Sequence, residues 1–80
     1  MRIDKFLKVS RLIKRRTVAQ EACDGGRISV NGRAVKPAYD VKEGDVIEIS
    51  FGAKQTKVRV VKICDFIKAD EASTMYELEE

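Results

Sequence analysis

The sequence contains no histidine and no tryptophan, and only two cysteines, two tyrosines and three phenylalanines in 80 residues. Without histidine it lacks the side chain most used as a general base near neutral pH, together with every Ser-His or Cys-His nucleophile pair. Covalent hydrolase chemistry is thereby all but excluded. Cys23 and Cys64 stand far apart with no CxxC spacing, so a zinc site would lack both its usual ligands and their spacing, and the two read as buried reduced thiols. Asp4, Glu21 and Asp24 are the acids of the first half, and their basic surroundings make a metal site unattractive; neither metal nor cofactor is expected. No apolar run approaches the roughly 20 residues needed to cross a bilayer. Met1-Arg2-Ile3-Asp4-Lys5 leads into an amphipathic segment instead of an apolar signal segment. The chain is read as soluble and unexported, with no membrane partner. No internal repeat or low-complexity stretch is present.

What is there fits one small domain: 44% apolar and 36% charged residues suffice for a modest core. The net charge of +3 hides an asymmetry. Residues 1–36 hold ten Lys or Arg against three acids, a net +7, whereas residues 37–80 hold six against ten, a net −4. Seven of those cations, Arg2, Lys5, Lys8, Arg11, Lys14, Arg15 and Arg16, crowd the first sixteen residues against Asp4 alone. Such a cluster repels itself unless a polyanion is present. A solvated helix face is the ordinary explanation of a charge run, but here Arg matches Lys towards the end of the cluster and no acid interrupts it. The basic half is therefore the candidate contact surface. The same repulsion makes a monomer the expected state.

At 100° per residue, Ile3, Phe6, Leu7, Ser10 and Ile13 share one arc while Lys5, Lys8 and Arg11 fall opposite, which predicts an amphipathic helix over 3–9. Thr17-Val18-Ala19-Gln20 fits a capping box, placing a second helix over 18–24 that stops at Gly25-Gly26. Arg15 and Arg16 then precede a helix N-terminus, whose unpaired N–H groups attract phosphate. From Arg27 the period changes to two, and Asn31-Gly32 predicts a type I′ hairpin between 27–30 and 33–36. Pro37 ends it, and Lys42 to Asp45 reads as a turn. Residues 45–51 and 56–66 read as further strands, with Val58 and Val60 on one face of the second and Arg59 and Val61 on the other. From Lys68 onward the chain is acidic, with a short helix over 70–74 and apolar residues at Met75, Tyr76 and Leu78; it reads as a weak element or a tail.

The joint presence of Arg2-Ile-Asp-Lys-Phe-Leu7, Arg16-Thr-Val-Ala19, Gly26-Arg-Ile-Ser-Val-Asn-Gly32 and Val41-Lys-Glu-Gly-Asp45 resembles the RNA-binding domain first described in small-subunit ribosomal protein S4. The resemblance runs over about 48 residues in unbroken order. It implies an α+β fold, the alpha-L motif, with two helices on a small, mainly antiparallel sheet. The domain then spans 1–66, followed by an acidic C-terminal extension over 67–80. Phe6 to Arg16 and Glu71-Ala-Ser-Thr-Met-Tyr76 further resemble the stand-alone RqcP branch, relatives of a ribosome-associated small heat-shock protein. That likeness implies a non-catalytic, cytoplasmic role in ribosome-associated quality control. Members bind large subunits still carrying peptidyl-tRNA, touch large-subunit rRNA and the tRNA, and assist an RqcH-type partner in adding a C-terminal alanine tail.

Carried over by position, Arg2 and Arg16 match residues expected to touch rRNA. Lys5, Lys8, Arg11, Lys14 and Arg15 are supporting phosphate contacts, and Arg27 and Asn31 come from the hairpin. Asp4 is expected to orient the arginines or cap the helix. A rigid helix pair with clustered Arg suits the backbone shape of structured RNA, and the scarcity of aromatics argues against a single-strand stacking binder. If about five phosphates are neutralised, the log–log salt slope is on the order of −3.5 to −4.5. Two alternatives stay open: a general structured-RNA or ribosome-assembly module, and a protein-interaction module docking an acidic partner.

Overall fold

The computed structural model describes residues 1–79, so Glu80, the last residue of the acidic segment, lies outside the described residues. The first helix, α1 (Ile3–Val9), has the expected bounds, and Ile3, Phe6, Leu7, Ser10 and Ile13, the residues of the apolar arc, are all buried. Its start is fixed by the loop at residues 37–40: Arg2 pairs in an antiparallel bridge with Asp40, and the amides of Ile3 and Asp4 donate to the carbonyls of Tyr39 (2.8 Å) and Pro37 (3.3 Å).

The second helix, α2, runs over Arg16–Asp24 and begins two residues earlier than the capping box placed it. Arg15 is its N-cap and makes no side-chain cap hydrogen bond; Thr17 is exposed within the first turn. The capping box does not form because Thr17 lies inside the helix instead of at its N-cap, and the Gln20 side chain is turned to Asp4, its Nε2 donating to the carboxylate. At the other end the reading holds. Gly26 takes φ +74°, and the Arg27 amide donates to the Ala22 carbonyl at 2.9 Å, closing the helix. The small inner residues Ala19, Ala22 and Cys23 are buried and let α2 lie close against α1.

The strands β1 (Ile28–Val30), β2 (Arg33–Ala34), β3 (Val46–Phe51), β4 (Lys54–Val60) and β5 (Tyr76–Leu78) form one antiparallel sheet in the order β2-β1-β3-β4-β5. Asn31 and Gly32 have φ of 51° and 88°, the two positive values a type I′ hairpin needs. The inward residues Ile28, Val30, Ile47, Ile49, Val58 and Val60 join the helices in a single core. Burial of Val58 and Val60 settles which face of β4 is inward.

The long strand expected over 56–66 is shorter. After Val60 the amides of Val61 and Lys62 both donate to the Met75 carbonyl (2.8 and 3.2 Å), so the ladder cannot continue. Residues 61–68 leave the sheet as irregular chain. The acidic segment then forms a 3₁₀ helix, η1 (Ala69–Met75), and β5, which pairs with β4; Met75 is fully buried. Cys23 is buried and Cys64 only half-buried, and both are free thiols.

Candidate nucleic-acid interface

The site is organised by a carboxylate. Asp4 lies in the first turn of α1 and is 0% exposed. Arg2 grips it with both arms of its fork, Nε to Oδ1 at 3.2 Å and Nη2 to Oδ2 at 3.1 Å. Arg16, from the first turn of α2, donates from Nη2 to Oδ1 at 3.3 Å and places Nε 3.3 Å from Oδ2. Gln20 Nε2 donates to Oδ2 at 2.9 Å and the Lys5 amide to Oδ1 at 2.7 Å. Burial alone would raise the carboxyl pKa, but the hydrogen bonds from Gln20, Arg2, Arg16 and the Lys5 amide outweigh it and hold the group down from 3.8 to about 2. Asp4 is therefore ionised throughout the physiological range.

One negative charge here orients two guanidinium groups, which leaves a net positive charge on the pair. The side chains of Arg2 and Arg16 remain 51% and 42% exposed. Each guanidinium is thus fixed on its inner side while solvent reaches the rest. The N–H groups left on the outer edge of each guanidinium suit phosphate oxygens, and fixing the group in advance lowers the ordering cost of binding.

The other cations divide by what they touch. Lys5 pairs with Asp65 at 3.1 Å, an exposed contact worth little by itself. Lys8, Arg11, Lys14 and Arg15 are exposed, and among the described residues they make no ion pair. Arg11 sits just beyond α1 with φ 63°, a left-handed conformation usually left to glycine and costing roughly 1–2 kcal/mol in any other residue. Arg27 is exposed at the junction of α2 and β1, and no hydrogen bond or ion pair joins it to the Asp4 group. Asn31 has both polar side-chain atoms committed within the protein: Nδ2 donates to Asp45 (3.2 Å) and Oδ1 accepts from the Val46 amide (3.0 Å). These bonds lock the hairpin to the start of β3.

Two features escape the sequence reading. Gln20, assigned to a helix cap, is part of the Asp4 group. Phe66, placed in a strand, is 90% exposed and lines a groove of about 250 Å³ together with Lys8, Arg11 and Lys14. The alternation around Phe66 carries no signal for this, because its position depends on where β4 ends.

Burial pushes the Cys23 thiol up to about 11, with the charges of Asp4 and Asp24 adding to the effect, so it stays protonated near neutral pH. Among the described residues no group of three His, Cys, Asp or Glu side chains could hold a metal ion, and no helix is long and apolar enough to cross a membrane.

Comparison with known proteins gives a consistent set of relatives. The model of the S4 domain family matches residues 1–47. The chain is 54% identical over 78 residues to the RQC P-site tRNA stabilizing factor of Halalkalibacterium halodurans, covering 98% of this chain and 89% of that protein. It is 55% identical over 76 residues to the protein of the same name from Bacillus subtilis, covering 95% and 88%. Among solved structures, the trimeric heat shock protein 15 of Vibrio cholerae superposes with a TM-score of 0.91 at 31% identity, over 99% of this chain and 81% of that one.

Proposed function

The chain belongs to the S4 domain family, and on that premise we propose that it is a non-catalytic RNA-binding protein of ribosome-associated quality control. It binds large ribosomal subunits obstructed by peptidyl-tRNA and contacts both rRNA and the tRNA. By holding the tRNA in place it assists an RqcH-type partner in adding a C-terminal alanine tail to the stalled chain. It acts as a monomer in the cytoplasm, on ribosomes. The observation that carries this reading is the Asp4 group, an arginine just before α1 and one in the first turn of α2 fixed by one buried carboxylate, beside cations that make no ion pair among the described residues.

The mechanism is positional. Arg2 and Arg16 clamp phosphate oxygens with forks already oriented, and Lys8, Arg11, Lys14 and Arg15 supply less directional attraction around them. Structured RNA presents its backbone and 2′-hydroxyls more readily than its base edges, so a rigid basic helix pair selects shape. In this reading the cationic RNA contacts lie within residues 1–66, and the acidic stretch that begins after Lys68 faces away from them, because carboxylates repel phosphate.

The reading is tested with purified large subunits prepared with and without peptidyl-tRNA. Binding to the tRNA-carrying subunits is expected to be tighter by at least about tenfold, which corresponds to roughly 1.4 kcal/mol from the added tRNA contacts. Equal affinity for vacant subunits would remove the tRNA from the proposal.

A further inference from the structure

The groove beside Phe66 is lined by two kinds of side chain, the apolar Val9, Phe66 and Ile67 and the cationic Lys8, Arg11 and Lys14. The acid of the lining, Asp65, is engaged by Lys5 at 3.1 Å, so its charge is offset locally. Phe66 is 90% exposed, which is unusual for an aromatic side chain when the core of this protein is short of them. Arg11 holds its place in the lining in a strained backbone conformation, φ 63°, of the kind that clusters at binding sites.

We infer that this groove is a binding site for one unpaired nucleotide of a structured RNA: the base stacks on the Phe66 ring while its flanking phosphates lie against Arg11, Lys14 and Lys8. The inference rests on the RNA-binding reading above and adds to it a site that responds to a base instead of to backbone shape. A nucleotide matches both kinds of side chain, since it joins a flat π-face to an anion at fixed spacing, and the RNA-binding reading favours it over other aromatic anions. The scarcity of aromatics still argues against tracking along a single strand; one exposed ring serves one extruded base, at a bulge or a junction.

The two levels separate in one experiment. Three RNA hairpins of equal length are used as probes: one with a single-nucleotide bulge carrying 2-aminopurine, one with an abasic residue at that bulge, and one fully paired. The wild-type protein is expected to bind the base-containing bulge about 5- to 100-fold more tightly than the abasic one, the span that one stacked base supplies. Its binding should also change the 2-aminopurine fluorescence. Phe66→Ala should erase both the preference and the fluorescence change while leaving affinity for the paired hairpin intact. Phe66→Trp should retain both. Because the ring is solvent-exposed, thermal unfolding of the two variants should match that of the wild type.

If the wild type binds all three hairpins equally, and Phe66→Ala does the same, the stacking site is overturned while RNA binding stands. If no hairpin binds the wild type even at low salt, the RNA reading fails with it. If instead a poly-glutamate peptide competes for the groove and Phe66→Ala abolishes that competition, the site belongs to an acidic protein partner and the nucleotide proposal is overturned.

Discussion

Asp4→Ala is expected to lower the unfolding free energy by about 2 to 4 kcal/mol, a large share of the roughly 4 to 12 kcal/mol available to a domain of 80 residues. The carboxylate is fully buried and accepts from Arg2, Arg16, Gln20 and the Lys5 amide, so its removal leaves several donors without their partner. The same hydrogen bonds make part of this stability pH-dependent. A fall from 3.8 to about 2 on folding corresponds to roughly 2 kcal/mol in favour of the folded ionised state. Because the folded pKa is the lower one, this stability is present in full above about pH 4 and is lost as the pH falls through 2. Urea unfolding of the wild type between pH 5 and pH 2 should show that loss, and Asp4→Asn should lack it. Equal pH profiles for the two would mean that the Asp4 group contributes nothing to folding. Arg2→Ala and Arg16→Ala should each cost less than Asp4→Ala, since both side chains are about half exposed and rehydrate when freed.

The double substitution Lys14→Glu with Arg15→Glu is expected to weaken RNA binding on the order of 100-fold at moderate salt while leaving stability nearly unchanged. Both residues are exposed and make no ion pair among the described residues, so reversing their charge breaks none. The wild-type affinity should fall with salt along a log–log slope of about −3.5 to −4.5, and the variant's slope should be shallower by about 2, one for each lost phosphate contact. Filter binding across a salt series measures both. A variant that loses affinity without a change in slope would place these residues outside the phosphate contacts.

Much of the helical half is legible from short-range physics. The 100° periodicity of α1 names its buried residues, the glycine pair ends α2, and Asn31-Gly32 specifies the hairpin, because each of these depends on neighbours within a few positions. The failures come from long-range competition. Thr17 and Gln20 satisfy the capping pattern, yet the buried charge of Asp4, sixteen residues before Gln20, takes its side-chain amide. The end of β4 is set by the carbonyl of Met75, which two amides fourteen and thirteen residues earlier share. No alternation pattern within 56–66 carries that information. The same holds for the acidic segment, where composition suggests solvent but Met75 is in the core and β5 completes the sheet. Of the candidate site residues, the structure unites Arg2 and Arg16 on Asp4 and gathers Lys8, Arg11 and Lys14 around one groove. Asn31 stands in the hairpin motif, and its side chain bonds Asp45 and the Val46 amide.

Sedimentation of the tagged protein through sucrose gradients of translating lysate, with the RNA of each bound fraction identified, tests the ribosomal role. Enrichment is expected with large subunits that carry tRNA, lost at high salt and in the Lys14→Glu, Arg15→Glu protein. Recovery of the protein outside every ribosomal fraction at low salt, or on large subunits regardless of tRNA, would contradict it.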